Sequence, residues 1–381
     1  MPKPSKEWSS KKRAIYGASD VRWQIAVLPG DGVGPEVTDS AVTVLLAVAD
    51  RFDHVADLTY ADIGWTAYEG HGAPLPDATL SACQAADAVL LGAVGDPRGD
   101  TVTPELRPEA ALLGLRQEMG CFANLRPVRL VPALADASPL RRDRVDGTDL
   151  VIVRELAGGL YYGKPSGRID GGDAALDTMK YSRAEVVRIA KVAFETARSR
   201  RKKVLSIDKA NVLHSSRLWR EVVEGVAADY PDVECTHMLV DRAAMELVLD
   251  PSRIDVMLTA NLFGDILSDE AAAVVGSIGL LASASIGSGG GIFEPVHGSA
   301  PDIAGTGTAN PLAMILSGAL LLRHVYEQEE EAAAIEAAVE RVLGSGLRTA
   351  DLARDGEASV GTEAMGAAVA AAVTEEGSTD A

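Results

Sequence analysis

Short apolar runs alternate with helix-length amphipathic segments along most of this chain. Residues 24–28, 58–60, 88–91, 122–127, 150–155, 204–207, 237–240 and 254–259 read as strands. Between and after them, segments from 34 to about 49, 76–85, 109–116, 182–199, 310–326, 329–343 and 361–376 read as helices, and the segment opening at 261 is helix-permissive. Ser182 and Glu185 form a capping-box pair at the start of one of these helices. A Gly-rich stretch from 160 to about 178 predicts a hairpin arm. Strands alternating with helices predict an α/β protein with parallel strands, whose ligands gather at the strand carboxyl ends. No internal repeat interrupts this order.

The first strand runs into Pro29-Gly30-Asp31-Gly32-Val33-Gly34-Pro35-Glu36, a tight turn opening a helix. Its third glycine comes one residue too early for G-x-G-x-x-G, so a Rossmann fingerprint is excluded. Backbone amides near a ligand remain the physical reading of such a turn.

With 381 residues, 47% of them hydrophobic and 24% charged, the chain has the composition of a folded globular protein of two or three domains. Its net charge of −19 argues against nucleic acid or an anionic membrane as partner. The basic run at 198–203 is explained by cations at a helix C-terminus before a strand. Cys83, Cys121 and Cys235 lack metal-ligand spacing and read as buried free thiols of a cytoplasmic protein. The longest apolar run, at 311–322, falls short of the roughly 20 residues a membrane span needs, and the first twenty residues lack a secretory h-region. Residues 1–20 are expected to be a flexible extension and 377–381 a disordered tail.

Candidate chemistry concentrates at the strand ends. Asp265 and Asp269 stand four residues apart, on one face of a helix that follows the 254–259 strand, and suit a hard divalent cation. They would equally serve as the solvated face of an amphipathic helix. Arg126 and Arg154 lie inside apolar strands, where a cation is costly unless it meets an anion. Glu109, Leu112, Leu113 and Arg116 share one helical face, suited to a ligand that is part alkyl and part carboxylate, or to an ordinary amphipathic helix. Lys209 ends a strand, where it is a general base or a satisfied ion pair, and Asp241 follows another.

Six motifs carry a family resemblance: L-P-G-D-G-V-G-P-E, F-A-N-L-R-P, V-R-E-L, D-K-A-N-V-L, N-L-F-G-D-I-L-S-D and E-P-V-H-G-S-A-P-D-I-A-G. From about residue 25 to 373 the chain resembles the β-decarboxylating dehydrogenases, the isocitrate and isopropylmalate dehydrogenase family. The resemblance implies a two-domain α/β fold with a mixed sheet flanked by helices. The cofactor-side domain would comprise 21–122 and 276–376, and a dimerisation and substrate domain 123–275, with its arm at about 156–178. It implies Mg²⁺ or Mn²⁺ on Asp241, Asp265 and Asp269, and substrate carboxylates on Arg116, Arg126 and Arg154, with Asn211 beside Lys209. Lys209 and Tyr161 would be the acid/base pair, with Asp241 at the same catalytic centre. Glu294, His297, Gly298, Ser299, Ala300, Asp302 and Asn310 would belong to an adenosine-side cofactor loop. In the family's homodimers the counterparts of Lys209 and Asp241 enter from the neighbouring subunit.

The isopropylmalate branch of the family implies an oxidoreductase of leucine biosynthesis. It would convert (2R,3S)-3-isopropylmalate to 4-methyl-2-oxopentanoate and CO₂. Asp302 would hydrogen-bond ribose hydroxyls and repel a 2′-phosphate, which favours NAD⁺. Leu112 and Leu113 leave a third carboxylate unpaired, against an isocitrate-type site. Ala110 and Gly114 stand where isopropylmalate enzymes often carry Thr and Ser, which would admit a longer alkyl chain. Rival readings are another 2-hydroxy diacid (homoisocitrate, tartrate, malate or another alkylmalate) and a silent regulatory subunit, which would be expected to have lost part of this residue set.

Overall fold

The computed structural model describes residues 21–287, 290–354 and 356–375. The expected N-terminal extension and C-terminal tail lie outside these residues. The chain divides into two compact units, residues 122–276 and residues 21–121 with 277–375.

The chain enters the second of these units as β1 (Arg22–Gly30), α1 (Gly34–Arg51), β2 (Val55–Tyr60), α2 (Gly64–His71), α3 (Asp77–Ala85), β3 (Ala88–Ala93) and α4 (Pro108–Glu118). Helix α1 starts on Pro35 and Glu36 and buries Val37, Ala41, Val44, Leu45 and Val48 along one stripe. The Gly-rich turn is compact: Gly30 has φ +74°, and any Cβ on it would overlap the Ala93 carbonyl. Asp31 is buried here and accepts from the Trp65, Thr66 and Gly95 amides at 2.9 Å each, tying the turn to α2 and to the end of β3.

The 122–276 unit follows with β4 (Cys121–Arg129), β5 (Asp149–Glu155), the antiparallel hairpin β6 (Gly167–Ile169) and β7 (Ala174–Leu176), then α5 (Arg183–Arg198), β8 (Lys203–Asp208), α6 (His214–Ala227), β9 (Glu234–Leu239), α7 (Val240–Leu249), β10 (Val256–Thr259) and α8 (Asn261–Val275). Its main strands run in the order β4-β5-β10-β8-β9, antiparallel for β4 with β5 and parallel for the rest. The Ser182–Glu185 capping box opens α5. The basic run after it is paired within the protein: Arg198 with Asp232 at 2.7 Å, Arg200 with Asp149 and Asp255 at 2.8 and 2.9 Å.

The chain returns to the other unit as β11 (Ala282–Gly287), β12 (Gly291–Pro295), α9 (Leu312–Val325), α10 (Glu329–Gly344) and α11 (Thr362–Thr374). There the strands order as β2-β1-β3-β12-β11, with only the β11–β12 pair antiparallel among the pairs described. Helix α9 is buried almost all round, as its apolar run predicts. Among the described residues no helix is long and apolar enough to cross a membrane. Cys83 and Cys121 are buried free thiols; Cys235, expected to be buried as well, is only half-buried on β9.

Candidate active site

In the 122–276 unit, strand register builds the central cluster. Asn124 on β4 faces Arg154 on β5, so Arg126, two residues along, shares that face and lies diagonally across from Arg154. Thr259 pairs with Arg154 on the other side, and α8 starts two residues beyond it. The first turns of α8 therefore pass over both guanidinium groups. Gly264 permits the approach: a Cβ there would overlap Thr259 Oγ1 and lie 2.8 Å from Arg154 Cγ.

Asp265 and Asp269 are the anions that meet these buried arginines. Arg154, 2% exposed, donates to Asp265. Arg126, 5% exposed, lies 3.6 Å from Asp265 and 3.7 Å from Asp269, donates to Ser268 Oγ at 2.5 Å and to Asn124 Oδ1 at 2.7 Å. Tyr161, on a 3₁₀ turn (Gly159–Tyr161), donates its phenol to Asp265 Oδ2 at 2.6 Å, and Arg154 sits over its ring at 5.7 Å. Burial pushes the Asp265 carboxyl up, but the charges of Arg154 and Arg126 and the Tyr161 bond outweigh it and hold the group below the usual range. Asp269 is raised, by burial first and by Asp265 after it. The Tyr161 phenol is pushed up to about 12 by burial, then by its bond to Asp265 and that carboxylate's charge.

Lys209 and Asp241 meet at the carboxyl ends of the adjacent parallel strands β8 and β9, with Lys209 Nζ donating to Asp241 Oδ1 at 2.6 Å. That bond holds the Asp241 carboxyl low. Asn211 is exposed two residues beyond Lys209. A single chain does not gather Asp241 with Asp265 and Asp269: among the described residues no three acids, histidines or cysteines come close enough to hold a metal. The donor chemistry of Asp265 and Asp269 nonetheless fits Mg²⁺ or Mn²⁺, being two carboxylates one helical turn apart.

In the other unit, α4 leaves Glu109 exposed and Leu112 and Leu113 half-buried, and buries Arg116. Gly114 faces Leu75, whose Cδ2 would lie 3.5 Å from an added Cβ. The family resemblance groups Glu294 with the cofactor loop. Here it lies on β12, buried, with its carboxylate accepting from Arg116 Nη2 at 2.6 Å.

The loop after β12 lies against the Gly-rich turn: Val33 donates to the Ser299 carbonyl at 2.8 Å, and a Cβ on Gly32 would overlap that carbonyl. His297 Nδ1 pairs with the Gly298 carbonyl at 2.9 Å, whereas its buried Nε2 has no hydrogen-bond partner among the described residues. Burial lowers the His297 pKa, against the Gly298 bond and the Asp351 charge, and so favours the neutral ring that can bond an uncharged ligand group. Ala300 adopts φ +40°, Gly298 and Asp302 are exposed, and Asn310 anchors the loop's end through Asp351 at 3.0 Å and the Leu312 amide at 3.0 Å. A loop that carries an orphaned buried nitrogen, exposed backbone and the exposed Asp302 carboxylate fits the adenosine part of a dinucleotide.

Three buried residues around the first cluster carry no signal that periodicity alone reveals. Asn261 Oδ1 accepts from Arg154 Nε and Nη2 at 3.0 and 2.8 Å, and its Nδ2 donates to the Leu156 and Gly158 carbonyls at 3.3 and 3.0 Å. Tyr181 Oη accepts from the Asn261 amide at 2.9 Å. Glu155, fully buried, accepts from the Ala157 and Gly158 amides at 3.0 and 2.9 Å and faces Arg188 at 3.7 Å. Burial pushes its carboxyl up to about 7, against those amides and Arg188.

Known proteins resemble this chain over nearly its whole length. Residues 24–369 match the family model described as isocitrate/isopropylmalate dehydrogenase. A 3-isopropylmalate dehydrogenase of Priestia megaterium is 56% identical over 356 residues, covering 93% of this chain and 96% of that protein. One from Bacillus subtilis is 55% identical over 357 residues, covering 93% and 98%. Among solved structures, an isocitrate dehydrogenase from Methylococcus capsulatus superposes with TM-score 0.83 at 38% identity, covering 93% of this chain and all of that one. A match of this length, joined to the motif residues as the fold arranges them, places the chain in the isocitrate/isopropylmalate dehydrogenase family.

Proposed function

We propose that this enzyme oxidatively decarboxylates (2R,3S)-3-isopropylmalate to 4-methyl-2-oxopentanoate and CO₂, with NAD⁺ as oxidant, as a cytoplasmic step of leucine biosynthesis. The observation that carries the reading is the cluster of Arg126, Arg154, Tyr161, Asp265 and Asp269, in a chain more than half identical to 3-isopropylmalate dehydrogenases over more than nine-tenths of its length.

When bound, a divalent cation on Asp265 and Asp269 supplies Lewis acidity and a nicotinamide supplies the hydride acceptor. Arg126 and Arg154 bind and orient substrate carboxylates, since each is buried, fixed by side-chain bonds and able to offer a planar fork. Arg116, fixed by Glu294, supplies a third such group on α4, where Leu112 and Leu113 offer apolar surface to an isopropyl group and Glu109 closes the polar end. Lys209 in its amine form takes the hydroxyl proton as general base, Asp241 is placed to pair the ammonium that results, and Asn211 adds an amide two residues on. Tyr161 keeps its proton at neutral pH and can deliver it to the carbon left by CO₂. His297, Gly298, Ser299, Ala300 and Asn310 shape the adenosine side of the cofactor site. Asp302 accepts from ribose hydroxyls and disfavours a 2′-phosphate.

Lys209 and Asp241 serve the site of a second copy of the chain, and Asp241 completes that copy's metal ligands. Two observations support a homodimer: Asp241 does not join the other two acids within one chain, and Val212, Met245, Val248, Leu249 and Ile266 leave large apolar side chains exposed on this unit. The assay is NADH absorbance with Mg²⁺ and a panel of 2-hydroxy diacids. Fastest turnover on 3-isopropylmalate supports the reading. Fastest turnover on isocitrate or tartrate, or a preference for NADP⁺, overturns its substrate or cofactor part.

A further inference from the structure

Asn261 has no role in the chemistry above, yet it is fully buried and makes five hydrogen bonds. Its amide cannot be turned round. An arginine only donates and a carbonyl only accepts, so Oδ1 must face Arg154 and Nδ2 must face Leu156 and Gly158. Aspartate could not donate to the carbonyls. Leucine, of similar shape, would orphan Arg154 donors and two buried carbonyls together.

The 156–158 segment is held on its other side by Glu155, through the amides of Ala157 and Gly158. Two side chains thus fix both the carbonyls and the amides of the residues leading directly into the Gly159–Tyr161 turn. Gly159, at φ +76°, presses against Tyr181, where any Cβ would overlap the hydroxyl, and that same hydroxyl accepts the Asn261 amide. The start of α8, the Arg154 fork and the turn bearing Tyr161 therefore share one buried junction.

We infer that Asn261, buttressed by Glu155, is a positioning residue that sets Arg154 and the Tyr161 turn as a single unit, so that carboxylate binding and proton delivery stay in register. The inference rests on the dehydrogenase reading above. Asn261 acts through Arg154 on substrate binding and through the 156–158 segment on Tyr161, whereas Glu155 acts only through that segment.

The test is a double-mutant cycle in the full-length enzyme, read as NADH formation from 3-isopropylmalate. Asn261→Ala is expected to lower kcat by about 10- to 100-fold and to raise KM. In a Tyr161→Phe background the same change should lower kcat by less than about threefold while the KM effect persists, because the group it positions is already absent. Glu155→Gln keeps the Arg154 contacts. It is expected to lower kcat with KM within about twofold, and again to be nearly silent on Tyr161→Phe. It decides the matter if Asn261→Ala does not fold. Equal fold-losses of kcat in both backgrounds would overturn the inference. A wild-type chain inactive on every diacid would overturn the dehydrogenase reading, and this inference with it.

Discussion

Tyr161 gives its phenol hydrogen to Asp265 Oδ2 at 2.6 Å, and that carboxylate also receives the Arg154 guanidinium. The same bond that locates the phenol helps to push its pKa up to about 12, after burial. At neutral pH Tyr161 therefore keeps its phenol proton, as the proposed role of general acid requires. Tyr161→Phe should lower kcat by about 100-fold or more, within the usual range for a lost general acid, and leave KM within a few-fold. Steady-state kinetics checks this, and an unchanged kcat removes Tyr161 from the chemistry.

Chelation should silence the enzyme, and Mg²⁺ or Mn²⁺ should restore it. In Asp265→Asn the restoration should fail, because an amide is a poor ligand for a hard cation. Size-exclusion chromatography should show the variant at the wild-type oligomeric size, since Arg154 retains Asn261 as acceptor. Full activity of Asp265→Asn would exclude the metal assignment.

The separation of Asp241 from Asp265 and Asp269 within one chain makes subunit exchange decisive. Lys209→Met and Asp265→Asn homodimers should each be inactive. Refolded together at equal amounts, half the dimers are mixed and each has one complete site, so about a quarter of wild-type activity should return. No recovery would confine the site to one chain.

Glu155 predicts a pH signature in stability. Its carboxyl is raised from an ordinary 4.5 to about 7, with burial the largest cause and Arg188 and the nearby Glu185 acting in opposite directions. A raised folded-state value stabilises the fold below pH 4.5 and loses that contribution as pH climbs to 7. Relative to Glu155→Gln, the wild type should therefore lose up to about 3 kcal/mol across that window and level off above it. Tm measured at a series of pH values tests the sign. A wild type that gains stability relative to the variant as pH rises would contradict it.

The parts of the site that were legible in the sequence are those fixed by local spacing or by a local energetic anomaly. Asp265 and Asp269 share a face because they lie four apart on α8, and Arg126 and Arg154 called for anions because they sit in apolar strands. Pairings across long separations had no such marker. Arg116 meets Glu294 across 178 residues, and the antiparallel pairing of β11 with β12 is not marked by the Gly-rich sequence between them. Glu155 was hidden because a polar residue at the end of β5 looks like the end of an apolar run, and Asn261 because it reads as an ordinary first residue of α8; most of their partners are backbone groups that no side-chain pattern encodes. Helix α2 was missed for a similar reason: it opens on Gly64 at φ +78° with no side-chain cap, and Asp31 supplies the acceptor instead.

The proposed reaction couples oxidation to loss of CO₂ on an alkyl-substituted malate. Its most direct test is a mass balance on the wild-type enzyme with Mg²⁺, NAD⁺ and 3-isopropylmalate, following NADH, released CO₂ and the organic product together. Equal amounts of NADH, CO₂ and 4-methyl-2-oxopentanoate are expected. NADH without CO₂, or no product from this substrate while another 2-hydroxy diacid turns over, would contradict it.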